Sequence, residues 1–185
     1  MKLEKPRIPP LTDAELDAPA RAALKTVTRR DGSIFNIFRT FARNPEATEA
    51  FLAWGNYILS RSSLPARDRE ILILRTGRLW QAEYEWAQHR RIGLHVGLTE
   101  DEIRDLERPQ PSGRWSAHER ALIAAADELC RDAFVSDATW RELARELDER
   151  GLMDLVFTVG QYTQVCMILN SFGVPLDEGL TGFGS

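Results

Sequence analysis

The chain has 185 residues, 43% of them hydrophobic, and a formal net charge of −4 at pH 7. This length suits one domain with a substantial core, and the weak negative charge gives no basic surface of the kind that binds nucleic acid. Its two cysteines, Cys130 and Cys166, are far apart in sequence, so we expect a protein of the reducing cytoplasm without a disulfide framework.

The N-terminal half predicts an arm followed by helices. Residues 1–11 include Pro6, Pro9 and Pro10 and should form an extended arm; no apolar run follows Met1, so we expect no signal peptide. The remainder, residues 12–185, is predicted to be one helical domain. Cap residues, an Asn-Pro start and apolar runs predict four helices in this half, over residues 12–28, 34–42, 45–59 and 65–79.

Three further helices follow in the second half of the chain. The first, over residues 81–96, should end at Gly97. The next two begin with capping boxes, in which a hydroxyl residue and a glutamate three positions later satisfy each other's backbone N–H groups. The two boxes are Thr99 with Glu102 and Ser116 with Glu119.

The remaining signals complete an all-α pattern. Pro109, Pro111 and Gly113 predict a loop between the two capped helices. An amphipathic helix is predicted over residues 137–149, and an apolar helix runs from Gly151 to about residue 173. Polar residues interrupt this last helix, so we expect a buried helix and no membrane span. About nine helices and no strand predict an all-α, single-domain helical bundle.

Three residues in the middle of the chain suggest chemistry. Glu85 and His89 lie four positions apart on one face of a predicted helix, so the carboxylate can orient the imidazole and raise its pKa. Glu70 begins the buried helix before it, where a carboxylate needs partners.

Simpler roles are also open for these residues. Glu70 could favour the N-terminal end of a helix dipole, and Glu85 with His89 could be an ordinary surface ion pair. The three side chains could instead ligate a metal, although no second histidine–carboxylate set accompanies them.

The spacing resembles that of the carboxymuconolactone decarboxylase and alkylhydroperoxidase D-like (AhpD-like) family. The peroxidase pattern of that family is a glutamate, a cysteine twelve positions later, a second cysteine after two residues, and a histidine after three more. Here Glu70 and His89 match the glutamate and the histidine, while Ala82 and Glu85 stand at the cysteine positions. The segments 6–11, 38–45, 64–70 and 97–99 also look like this family. The resemblance implies an AhpD-like helical bundle that assembles into homo-trimers or hexamers.

The missing cysteines decide which activity the resemblance implies. Thiol peroxidase chemistry needs a thiolate and a resolving thiol, so an AhpD-like antioxidant role is disfavoured. The resemblance points instead to a carboxy-lyase of aromatic-compound catabolism, which decarboxylates a carboxylated lactone or keto acid without a cofactor. Glu70, Glu85 and His89 are the catalytic candidates, and we expect Glu70 and His89 to face each other. His89 would be the general acid or base, held in one tautomer by Glu85, while Glu70 would share the proton or bond the substrate.

The resemblance leaves the substrate and the activity open. The expected partner is a small-molecule carboxylate, and four arginines could bind it through its charge: Arg39, Arg43, Arg67 and Arg90. A non-catalytic oligomeric binding protein is the remaining alternative.

Overall fold

A computed structural model describes residues 3–112 and 114–184 of the chain. Within these residues it contains nine α-helices and no strand, which confirms the all-α prediction. The helices are α1 (Ala18–Leu24), α2 (Asn36–Phe41), α3 (Pro45–Ser60), α4 (Ala66–Leu79), α5 (Glu83–His95), α6 (Glu100–Leu106), α7 (Ala117–Asp132), α8 (Asp137–Leu143) and α9 (Glu149–Phe172).

Helix α4 lies at the centre of the bundle. Its side chains from Ile71 to Leu74 are all completely buried, as expected for a helix that is apolar on every side. It packs against α5, α6, α7 and α9. The α4–α5 contact matters most for function, because it brings the candidate catalytic residues of the two helices together.

Several helix starts follow the sequence signals. Asn44 accepts a hydrogen bond from the Ala47 backbone and so caps α3. Both capping boxes form, at the starts of α6 and α7. These predictions are confirmed because each rests on contacts within four residues, which distant packing seldom overrides.

Other boundaries differ from the prediction. The helix predicted over residues 12–28 is limited to α1: Glu15 folds back onto Thr12 in a turn, and Asp17 is the actual cap. The helix predicted over residues 137–149 ends at Leu143, and Asp148 caps α9 instead.

The predicted arm and loop lie partly outside the described residues. Within the described part of the arm, Arg7 and Ile8 donate backbone hydrogen bonds to Phe172 at the end of α9. Pro109 and Pro111 lie between α6 and α7 as expected, while Gly113 is not among the described residues.

Helix α9 is the longest of the described helices, with 24 residues. By length and composition it could cross a membrane, but 56% of its most apolar window is buried inside the protein. It packs against α3, α4, α5 and α7. These contacts are those of a central helix of the bundle.

Candidate functional site

The turn between α4 and α5 sets the relative position of the two helices. Gln81 adopts a left-handed backbone conformation, with φ of 52°, and the backbone N–H of Ala82 donates to Gly77. Helix α5 therefore begins at Glu83, two residues later than predicted. Ala82 is fully buried before the helix starts.

A buried carboxylate–imidazole–carboxylate triad joins the two helices. His89 Nδ1 lies 2.6 Å from Glu70 Oε2, and His89 Nε2 lies 2.9 Å from Glu85 Oε1. Glu70 is completely buried, while Glu85 and His89 are 4% and 6% exposed. The expected contact between Glu70 and His89 is present, and both nitrogens of the imidazole are held by carboxylates.

The carboxylates determine the charge of this imidazole. Burial alone would lower the pKa of His89, but the charges of Glu70 and Glu85 and their hydrogen bonds raise it to about 10. At neutral pH the ring is therefore a cation between two acids. A buried cation with two close partners can act as a proton donor while remaining fixed in orientation.

Two members of the triad, Glu85 and His89, form part of the wall of a cavity of about 720 Å³. The lining comes from α1, α2, α3, α5 and α9, from Thr26 and Val27 after α1 and from Phe35 next to α2, and it is mainly apolar. The polar part includes Glu85 and His89, together with Gln161 and Tyr162 of α9. A volume of this size accommodates a small organic molecule.

Glu70 does not reach this cavity. It is absent from the lining and lies behind the imidazole, with its Oε1 atom 3.7 Å from Arg69 Nε. That separation exceeds a hydrogen bond, and Oε1 has no hydrogen-bond partner among the described residues. Direct substrate bonding by Glu70, which the sequence suggested, is therefore not supported. Glu70 is placed to orient His89, and Glu85 is the carboxylate that faces the cavity.

None of the four candidate arginines lines the cavity. Each is engaged elsewhere by acidic side chains: Arg39 by Asp13, Arg43 by Glu15, Arg67 by Glu102 and Glu119, and Arg90 by Glu100. Their structural roles could not be read from the sequence, because most of these partners lie far along the chain.

The alternatives of metal and thiol chemistry find little support in the geometry. Among the described residues, no three histidine, cysteine or acidic side chains are grouped to hold a metal ion. Both nitrogens of His89 are already occupied by carboxylates. Burial raises the pKa of the Cys130 and Cys166 thiols, which disfavours the reactive thiolate.

Two residues that the sequence did not mark as functional stand beside the triad. The Tyr162 ring meets His89 edge to face, with centroids 5.0 Å apart, and the Oε1 atom of Gln161 has no hydrogen-bond partner among the described residues. The presence of polar residues in an apolar helix was the available signal, but it could not reveal the cavity.

A second polar group supports the wall of the cavity from behind. Asp177 accepts hydrogen bonds from the backbone of Asn36 at 2.8 Å and from Gln88 at 2.7 Å. Tyr84 donates to the same carboxylate. Because Tyr84 and Gln88 line the cavity, Asp177 fixes its wall by joining α5 to the start of α2.

Comparisons with known proteins agree with this architecture. Residues 45–128 match the model of the carboxymuconolactone decarboxylase family. A search of curated proteins found no match to the sequence.

Solved structures resemble the chain over most of its length. One is an uncharacterized peroxidase-related protein with an AhpD core from Ralstonia eutropha JMP134, with 19% identity, a TM-score of 0.81, and 94% of this chain and 93% of that chain covered. The debrominase Bmp8 in complex with 2,3,4-tribromopyrrole has 16% identity, a TM-score of 0.73 and coverage of 95% and 94%. A protein of unknown function, ATU0492 from Agrobacterium tumefaciens, has 22% identity, a TM-score of 0.69 and coverage of 74% and 94%. At these identities the similarity establishes the fold.

Proposed function

We propose that the chain is a carboxymuconolactone decarboxylase-like, cofactor-free acid–base enzyme acting on a small organic compound, a proposal supported by the family match over residues 45–128. One observation carries the proposal: in the buried Glu70–His89–Glu85 triad, His89 and Glu85 line a cavity large enough for such a compound. A general acid or base fixed beside a bound substrate is the arrangement that proton transfer requires.

Each of the three residues has a separate role in the proposed reaction. Glu85 faces the cavity and exchanges protons with the substrate. His89, charged at neutral pH because its pKa is about 10, passes the Nε2 proton to Glu85 and then takes up a proton from solvent. Glu70 holds the opposite nitrogen and keeps the ring in place. The reaction is then the transfer of a proton to or from a carbon next to a carbonyl group, with an enolate as the species that is protonated.

Decarboxylation of a carboxylated lactone or keto acid is a second candidate, favoured by the match to the decarboxylase family. In that reaction the bond to the carboxyl carbon breaks and carbon dioxide leaves. The electron pair of the broken bond remains on the substrate as an enolate, and Glu85 delivers the proton that replaces the carboxyl group. The same residues serve both reactions, and the two differ only in the group lost before protonation.

A substrate panel tests the proposal. Uncharged lactones and ketones are followed in deuterium oxide by proton NMR for exchange at the carbon beside the carbonyl, and carboxylated lactones and β-keto acids are followed for carbon dioxide release. We expect turnover by the wild type and its loss in Glu85→Gln. The matched control is Glu83→Gln on the same helix, which does not line this cavity. Equal turnover by the wild type and Glu85→Gln would contradict the assignment.

A further inference from the structure

We propose that the cavity selects an uncharged compound, made of an apolar ring with one polar substituent, and discriminates against carboxylates. This inference deepens the proposed function and rests on it for the location of the site. It departs from the carboxylated substrate expected from the sequence.

The charge distribution of the wall is the first argument. Among the described lining residues there is no lysine or arginine, while Glu49 and Glu85 contribute carboxylates. The positive charge at the wall belongs to His89, which is already shared between Glu70 and Glu85. The lining residues therefore carry a net charge of about −1 when Glu49 and Glu85 are ionised and the His89 ring is protonated, and behind the lining the charges of Glu70 and Arg69 offset each other. A carboxylate entering this apolar cavity would lose hydration and meet a like charge.

The apolar part of the wall is the second argument. Aromatic rings in the wall come from Phe35, Phe38 and Phe51, and aliphatic surface comes from Leu52 and Val165. Aromatic side chains stack against a flat apolar ring or meet its edges. A volume of about 720 Å³ leaves room for a ring with substituents.

The uncommitted polar groups are the third argument. Gln161 is 5% exposed, lines the cavity, and its Oε1 atom has no hydrogen-bond partner among the described residues. Tyr162 beside it is also 5% exposed and lines the same wall. Buried amides are normally satisfied, so a substrate hydroxyl or amide N–H group in this position would donate the hydrogen bond that Gln161 Oε1 lacks.

The test compares two probes of nearly equal shape by calorimetry at pH 7, benzamide and benzoate. Shifts of the His89 ring resonances locate the bound probe. We expect the wild type to bind benzamide at least about tenfold more tightly than benzoate, since a like charge in a low-dielectric site costs more than one hydrogen bond contributes. In Glu85→Gln this ratio should fall, because one carboxylate has been removed. In Glu83→Gln it should stay at the wild-type value.

A second variant tests the polar contact. Gln161→Leu should weaken benzamide binding about tenfold and leave the binding of fluorobenzene, observed by fluorine NMR, unchanged. Equal or tighter binding of benzoate by the wild type would overturn the proposal, and so would failure of both probes to bind. Selective binding of benzamide without turnover in the substrate panel would support this inference and contradict the proposed function, so the two failures are distinguishable.

Discussion

Two buried histidines of this protein each contact a carboxylate of α4. They differ in the partner of the second ring nitrogen and in whether the ring lines a cavity. His89 bonds to Glu70, while His118 Nε2 lies 2.7 Å from Asp68, two residues earlier in the same helix. The second nitrogen of His89 meets the buried Glu85 at 2.9 Å. The second nitrogen of His118 lies 3.9 Å from an acid, Glu146, that is largely exposed.

The surroundings separate the two pairs further. His89 lines the cavity of about 720 Å³, whereas His118 does not. The His118 ring is 8% exposed and joins α7 to α4. An imidazole–carboxylate contact is therefore not by itself a sign of catalysis. The proposed catalytic role of His89 rests on its second carboxylate partner, Glu85, and on the cavity that its ring lines.

Removing each imidazole in turn should produce the largest contrast. We expect His89→Ala to lose roughly 10²- to 10⁴-fold in turnover, the usual contribution of a positioned acid or base. His118→Ala should retain turnover within a few-fold and show its effect in thermal stability. The measurement is the initial rate on any substrate from the panel, beside the melting temperature of each variant. A comparable loss of rate in the two variants would remove the functional distinction between the pairs.

Replacing the carboxylates that α4 presents to the two histidines should give a smaller contrast in turnover than removing the imidazoles. Glu70→Gln removes one of the two charges that raise the pKa of His89, so we expect that pKa to fall and turnover to decrease less than in His89→Ala. Asp68→Asn should leave the pKa of His89 unchanged. Nitrogen-15 NMR titration of the His89 ring gives the pKa directly. An unchanged titration in Glu70→Gln would show that Glu70 does not govern the charge of the ring.

The pH dependence of stability should sharpen the contrast. The pKa of His89 is raised from 6.5 to about 10 in the folded protein, so the folded state holds a proton that the unfolded state releases. The stabilisation is complete below about pH 6.5, declines as pH rises, and is lost by about pH 10.

Denaturant unfolding between pH 6 and pH 10 measures this decline. His89→Ala should lose most of the wild-type decline in the free energy of unfolding. Parallel curves for the wild type and His89→Ala would contradict the assignment of a charged, buried imidazole.

The smallest expected effect concerns the thiols. With Ala82 and Glu85 at the positions of the peroxidase cysteines, the wild type should show no dithiol-dependent peroxide reduction, and Cys130→Ala should leave turnover on the substrate panel unchanged. A coupled peroxide assay makes the measurement. Steady peroxide turnover by the wild type would overturn this expectation, and its loss in Cys130→Ala would identify the thiol responsible.

Local signals predicted much of the fold. Asn44, Thr99 and Ser116 mark helix starts through contacts that span three residues, and these can be read from the sequence. The start of α1 was misplaced because Thr12 and Asp17 are both acceptable caps. Thr12 instead forms a turn with Glu15, and Asp17 is the residue that caps the helix.

The site was predictable to a lesser degree. The spacing of Glu70, Glu85 and His89 within neighbouring helices indicated that they would meet. The sequence could not show that Glu70 lies behind the His89 ring, because the burial of Glu70 depends on the packing of α9 against α4. The orientation of Gln161 also depends on helices far away in the chain, and a local pattern carries no information about that packing.

The position of α9 in the chain has a consequence for how the protein is made. This helix covers one side of α4 and contributes Tyr162 to the wall around His89, yet it follows all the other described helices in order of synthesis. While a ribosome is still translating residues 149–172, the apolar surface of α4 that they will cover remains open to solvent or to chaperones. Domains generally fold as units during synthesis, so the bundle and the cavity beside His89 are completed together, only after the ribosome has released this segment.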